Sequence, residues 1–200
     1  MNLVLLHNAV MKSNIIRNDY LKLHLSVLLA GFTGVFGKLI TLNEGLLVWY
    51  RLLFSFLMFY VILFFARKLP KESSADTLKM IAIGMLLGLH FLLFYASIKY
   101  ANVSVGVVCY SLEGFFTAVF NPLFNRKFFS LKEISYSLIA VLGIGLIFHV
   151  DPHYRVGIIF GILSAALFSI FTICNKKLET GEFSKDLISA RSMLFYELLG

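Results

Sequence analysis

The sequence predicts an all-α protein, a polytopic bundle of membrane helices, and three observations carry that reading. Of its 200 residues, 59% are hydrophobic and only 14% are charged, against a charged share of about 25% in soluble domains. Mean hydropathy is +0.85. The apolar residues also lie in long uncharged runs. Six of these meet or approach the roughly 20 residues that a helix needs to cross about 30 Å of hydrocarbon.

The first run, 23–42, mixes small and branched residues with Lys38 near its end. The second, 45–66, opens with Trp49 and Tyr50, a pair suited to the headgroup level, and continues as the Phe-rich stretch RLLFSFLMFYVILFF, read as lipid-facing surface. The third and fourth are 80–98 and 103–124. Asn121–Pro122 is expected to break the inner end of the fourth and free a carbonyl, because proline removes a helix hydrogen bond. The fifth is 134–150 and the sixth 156–175. A seventh begins near Leu187 and reaches Gly200 after 14 residues, so the sequence is expected to stop inside a membrane helix. Gly31, Gly34 and Gly37, then Gly84 and Gly88, then Gly157, Gly161 and Ala165 are spaced to let helices approach closely. The loops are short, the longest being about 67–79, which leaves any function within the membrane or at its two mouths.

The net charge of +7 raises the question of nucleic acid, but 21 Phe and long uncharged runs leave no solvated basic face to hold it. The positions of the charges give another answer. Lys12, Arg17 and Lys22 precede the first span. Arg67, Lys68, Lys71 and Lys79 lie between the second and third, Arg126, Lys127 and Lys132 between the fourth and fifth, and Lys176, Lys177 and Lys185 between the sixth and seventh. The alternate loops hold only Lys99 and Arg155. Cytoplasmic loops carry the Lys and Arg excess, so residues 1–22 are expected to be a cytoplasmic N-terminal segment of a protein in the cytoplasmic (inner) membrane. That segment has no signal-peptide pattern, its apolar patch being cut by His7 and Asn8. Cys109 and Cys174 lie in apolar runs without metal-ligand spacing. No metal and no cofactor are expected.

The first and sixth spans are faintly alike. LLAGFTGVFGKLI ends at Gly37–Lys38, and ILSAALFSIFTICNKKL carries Asn175–Lys176 in the matching place. Arg51 follows Lys38 by 13 residues, and Arg191 follows Lys176 by 15. The apparent period is about 140 residues, or five helices, by self-similarity. An odd number of spans makes the second copy enter the membrane from the opposite side, as in inverted-repeat carriers. One complete five-helix repeat, 23–150, is therefore expected to be followed by the start of an inverted second repeat, 156–200.

With LLAGFTGVFGK, VWYRLLFSF, IKYANVSVGVVCYSLEGFFTAVFNPLF, SLKEISYSLIAVLGIGLIF and GILSAALFSIFTICNKKL in view, the chain resembles the EamA-type drug/metabolite transporter superfamily from about Leu23 onward. The resemblance implies ten helices in two inverted five-helix repeats, cytoplasmic termini and a central substrate cavity between the halves. By that measure 200 residues hold one repeat, helix six and part of helix seven.

Ionisable side chains inside the apolar layer are expensive and face a bundle interior or a water-filled cavity. Glu113 lies ten residues into the fourth span, about 15 Å deep at 1.5 Å per residue, where a short carboxylate cannot snorkel. His90 lies at similar depth in the antiparallel third span. If the two face each other, Glu113 is a proton or cation site with His90 as its partner; the plain alternatives are a structural carboxylate held by hydroxyls and a packed imidazole. Tyr110 and Ser111, just before Glu113, are candidate cavity-lining residues. Arg51 reads either as a substrate contact for a carboxylate or phosphate at the outer mouth or as a side chain snorkelling to headgroups. Lys38, Arg191 and Glu197 are weaker candidates for substrate binding or coupling, Lys38 reading chiefly as an anchor.

The function these features point to is a secondary transporter, with export as the expected direction, of a small polar or amphipathic metabolite by alternating access. The chain carries no HExxH or GxSxG pattern, so an enzyme is not expected. A membrane-embedded enzyme and a non-transporting membrane scaffold stand as the competing classes. The expected partners are a small-molecule substrate and the lipid bilayer, with a homodimer left open and no nucleic acid.

Overall fold

A computed structural model describes residues 20–29, 31–32, 34–126, 128, 130, 132, 135, 138–139, 141–143, 145–146, 152–184 and 188–200. The elements are α1 (Tyr20–Leu39), α2 (Glu44–Phe65), α3 (Ser74–Tyr100), α4 (Val103–Tyr110), α5 (Glu113–Asn125), α6 (Arg155–Glu179) and α7 (Ala190–Glu197), with a 3₁₀ turn, Pro152–Tyr154, leading into α6. No strand occurs among the described residues. Taking α4 and α5 together, five stretches are long and apolar enough to cross a membrane. The expected span 134–150 falls largely outside the described residues, as does the start of the seventh at Leu187.

Four of the helices start where a small polar side chain satisfies a free backbone N–H. Asn43 accepts from Gly45 N at 2.9 Å at the head of α2, Ser73 from Asp76 N at 3.2 Å at α3, Asn102 from Val105 N at 2.9 Å at α4, and Ser189 from Ser192 N at 3.2 Å at α7. These caps cut an almost continuously apolar chain into helices of defined register.

The bundle is organised on α3 and α6, which run antiparallel in contact along their whole length. At one end Gly157 of α6 abuts Ala101, midway Ser164 meets His90, and at the other end Leu178 packs with Met80. Glycine on α6 makes this possible. A Cβ at Gly157 would lie 2.5 Å from the Ala101 Cβ, and one at Gly161 would lie 2.6 Å from the Cys109 Cβ. Lipid tails are as apolar as leucine, so helix association in a membrane relies on such close packing and on hydrogen bonds between helices. Across the α4–α6 contact, Val105, Cys109 and Leu112 pack on Ile158 and Ala165. α2 joins through Leu47 and Val48 against Tyr95 and Ile98, and α7 through Met193 in the cluster of Met80, Ile83, Phe171 and Leu178. α1 is the outlying helix, burying only Gly34 and Gly37 among its described residues.

The fourth span departs from expectation. It is interrupted at Ser111–Leu112, and α5 instead runs through Pro122 to Asn125. The Ser111 hydroxyl donates to the Val108 carbonyl at 2.6 Å, and the Leu112 amide donates to Cys109 O at 3.1 Å. A serine bonding back to the preceding turn competes with the α-helical ladder and tightens it to 3₁₀ spacing. Glu113 thereby heads a new helix. Pro122 is buried and α5 ends at Arg126, whose backbone is left-handed (φ 50°) and whose amide donates to Pro122 O.

One end of the bundle gathers the basic loops. Lys79 donates to Asp76 at 2.9 Å and to the Phe183 carbonyl at 2.5 Å, Lys177 to the Phe124 carbonyl at 3.2 Å, and the Tyr196 hydroxyl to the Pro70 carbonyl at 3.2 Å. Arg67, Lys68, Lys71, Arg126 and Lys176 belong to these same connections. At the opposite end Lys99 donates to the Leu42 carbonyl and lies 3.9 Å from Glu44.

Candidate functional site

The Lys99–Glu44 contact sets the end of α3 beside the start of α2, and two turns into α2 the antiparallel register brings Arg51 opposite Phe91 and Tyr95. The guanidinium donates from Nη1 to the Tyr95 hydroxyl at 2.5 Å, and its carbon lies 4.1 Å from the centre of the Phe91 ring. Arg51 is half-buried and Tyr95 is 3% exposed. Arg51 and Tyr95 line a cavity of about 370 Å³ together with Leu47, with Phe36 and Gly37 of α1, and with Ile40 just beyond its end. Gly37 admits the Tyr95 ring, which a Cβ there would strike. Arg51 is the one charged group among the lining residues. An arginine has five N–H donors, so a guanidinium braced through one nitrogen still has donors for a ligand. A cation–π contact with Phe91 favours the same placement.

His90 follows on the next face of α3 and is 3% exposed. Its Nδ1 lies 3.0 Å from the Ser164 carbonyl and 2.9 Å from the Ser164 hydroxyl, which in turn lies 3.2 Å from the His90 carbonyl. The imidazole is enclosed by Phe91, Phe94, Tyr110 and Phe168, the last at 4.6 Å between ring centres. Its polar contact is therefore to α6 and not to Glu113. Tyr110 stands between the two: its ring centre lies 5.7 Å from that of His90, and Glu113 follows it three residues on. Glu113 is half-buried at the head of α5, and Ser111 is exposed, its hydroxyl spent on the Val108 carbonyl. One turn further, Thr117 and Ser169 bond at 2.9 Å and tie α5 to α6.

The structure thus brings Arg51, His90, Tyr110 and Glu113 into one seam between α2, α3, α4 and α6, linked by aromatic rings. Lys38 is exposed near the end of α1, apart from that seam, and Arg191 is exposed in the first turn of α7. Arg51 and Arg191, which the sequence pairs through an expected internal repeat, have different surroundings. Glu197 lies elsewhere, between α7 and α6, 5% exposed, with Oε2 3.4 Å from the Asn175 amide nitrogen.

Three functional neighbours escaped the sequence reading. Tyr95 and Ser164 hold Arg51 and His90, and Asn175 is the partner of Glu197. Ser164 had a signal, since it adjoins the Gly161–Ala165 stripe that marks a close helix contact. Tyr95 lies one turn from Phe91 on the same face, but no local pattern names the arginine it meets.

A family model described as the EamA-like transporter family matches residues 20–149, well over half of the chain. Comparison with curated proteins and with solved structures finds no match.

Proposed function

The chain belongs to the EamA-like transporter family, and from that membership we propose that it is a secondary carrier exporting a small amphipathic metabolite with an anionic end across the cytoplasmic membrane. The observation that carries this is the cavity of about 370 Å³ walled by Phe36, Ile40, Leu47 and Tyr95, with a single braced guanidinium. Apolar walls with a few fixed polar groups are the usual form of a small-molecule site. Here the apolar wall suits the body of the solute, and Arg51 suits a carboxylate or phosphate.

Two further features support the reading. The loops rich in Lys and Arg share one end of the bundle, which the positive-inside rule gives to the cytoplasm, and this supports a cavity open at the outer mouth. The seam from Arg51 through His90 and Tyr110 to Glu113 runs inward from that mouth. Alternating access would then follow from rocking one inverted half against the other.

Counterflow in proteoliposomes, with anionic, zwitterionic and neutral amphipathic solutes, tests the proposal. Exchange of an anionic solute is expected, with Arg51→Lys reducing it while sparing neutral analogues. Equal loss for neutral solutes overturns the role given to Arg51. No exchange by any solute overturns the carrier reading and favours a scaffold or a membrane-embedded enzyme.

A further inference from the structure

Glu197 and Asn175 meet where α7 crosses α3 and α6, in a place built to exclude water. α7 reaches it because Gly84 of α3 has no side chain: a Cβ there would collide with the Glu197 backbone carbonyl. Phe195 packs on Phe56 and Tyr60 of α2, with ring centres 5.4 and 6.3 Å away, closing the other side. Glu197 is 5% exposed, yet its Oε1 has no hydrogen-bond donor, and neither has Oδ1 of Asn175 beside it. A buried, unpartnered polar atom is costly, and a carboxylate more so.

A carboxylate buried with one oxygen unpartnered keeps a charge that nothing nearby solvates. A proton on Glu197 removes that charge and turns the carboxyl into a neutral acid, while the Asn175 amide still faces Oε2. A metal ion fits less well: Ca²⁺ takes about 6–8 oxygens, and the pair offers three, with no group of three or more His, Cys, Asp or Glu able to hold a metal among the described residues.

Among the described residues, the surroundings leave the carboxyl without a counter-ion. From α3, Lys79 is held by Asp76 and the Phe183 carbonyl, and His90 by Ser164. From α6, Lys177 is engaged with Glu182 and the Phe124 carbonyl, Lys176 and Glu179 are exposed, and Cys174 packs into the apolar cluster. From α2, Arg51 is braced on Tyr95 and Tyr60 lies against Phe195. On α7 itself, Arg191 is exposed and Tyr196 bonds to Pro70.

We propose that the Glu197–Asn175 pair at the α3–α6–α7 crossing is a proton-binding site that couples the carrier to a proton gradient. The coupling role rests on the carrier reading above; the proton site does not. One proton adds to Glu197 from water on one side of the membrane and is released to water on the other, with no other bond made or broken. Glu113 does not take this role, because it is only half-buried and its charge is not shut away from water as that of Glu197 is.

Infrared spectroscopy of the full chain in liposomes tests the site directly through the carbonyl stretch of a protonated carboxylic acid. The band is expected at neutral pH, lost reversibly as pH rises, absent in Glu197→Gln, retained in Glu113→Gln and displaced in Asn175→Ala, which removes the amide facing the carboxyl without touching the acid. A band absent from the wild type, unchanged in Glu197→Gln, unmoved in Asn175→Ala, or abolished by Na⁺ at fixed pH overturns the proton site. In transport, Glu197→Gln is expected to keep counterflow and lose accumulation driven by a proton gradient, since exchange needs no net proton movement. Retained accumulation, or loss of counterflow as well, overturns the coupling role. A wild type without counterflow for any solute defeats the carrier reading alone, and the infrared band still decides the proton site.

Discussion

The brace on Arg51 is open to direct measurement by a double-mutant cycle of Arg51→Met and Tyr95→Phe. Tyr95→Phe removes one oxygen and keeps the ring, so the packing of Tyr95 on Leu47, Val48 and Ile98 survives. The ring-to-guanidinium contacts at Phe91 (4.1 Å) and at residue 95 (5.9 Å) also survive and cancel in the cycle. What remains is the hydroxyl–guanidinium bond of 2.5 Å. Removing a hydrogen bond to a charged group costs roughly 1.5–3 kcal/mol. Arg51 is half-buried beside a cavity from which water can replace the lost acceptor, so the coupling is expected below that range, at about 1 kcal/mol, within the roughly 0.5–3 kcal/mol typical of touching residues. Equilibrium unfolding of the four proteins in mixed micelles reads it as about a fivefold change at 1.4 kcal/mol per decade. Additivity to within about 0.3 kcal/mol would refute the brace. The same proteins should lose affinity for an organic anion in step with the coupling.

Three other expectations follow from the packing. Ser164→Ala removes the hydroxyl from His90 but leaves the backbone carbonyl contact at 3.0 Å. The loss should therefore fall near the 0.6 kcal/mol average for membrane interhelical bonds and below about 1.7 kcal/mol, read by the same unfolding assay. Gly161→Val drives a side chain into Cys109 and the Ser97 hydroxyl, 2.6 and 2.9 Å from the added Cβ, and overpacking of this kind costs about 1–3 kcal/mol; a lowered thermal midpoint is expected, and an unchanged one would show that α6 is free to withdraw. A cysteine at Lys71 should react with an impermeant thiol reagent only from the cytoplasmic side, and labelling from outside would invert the topology.

Much of the architecture was legible because the bilayer imposes it. A backbone in hydrocarbon must satisfy its own hydrogen bonds, so long apolar runs become helices, and Asn43, Ser73 and Asn102 mark where three of them start. The expected runs 45–66 and 156–175 became Glu44–Phe65 and Arg155–Glu179. The fourth span was less legible. Proline is the obvious breaker, and Asn121–Pro122 drew attention, yet the interruption came at Ser111, where a short side chain found the Val108 carbonyl. Such competition depends on a rotamer and leaves no periodicity behind.

The candidate site divides along the same line. Composition and spacing alone selected Arg51, His90, Glu113 and Glu197, because an ionisable group in an apolar run is conspicuous wherever it points. Their partners came only with the fold. Tyr95, Ser164 and Asn175 are ordinary residues in the sequence, and they matter because α2, α3, α6 and α7 pass close enough for side chains to meet. Hydropathy and charge thus determined the helices and the membrane, and likeness of sequence the family. Which polar atoms are paired, and which are left waiting for a proton or a ligand, was decided by helix register and crossing, because hydrogen bonds act over about 3 Å and one-dimensional spacing does not encode distances across a bundle.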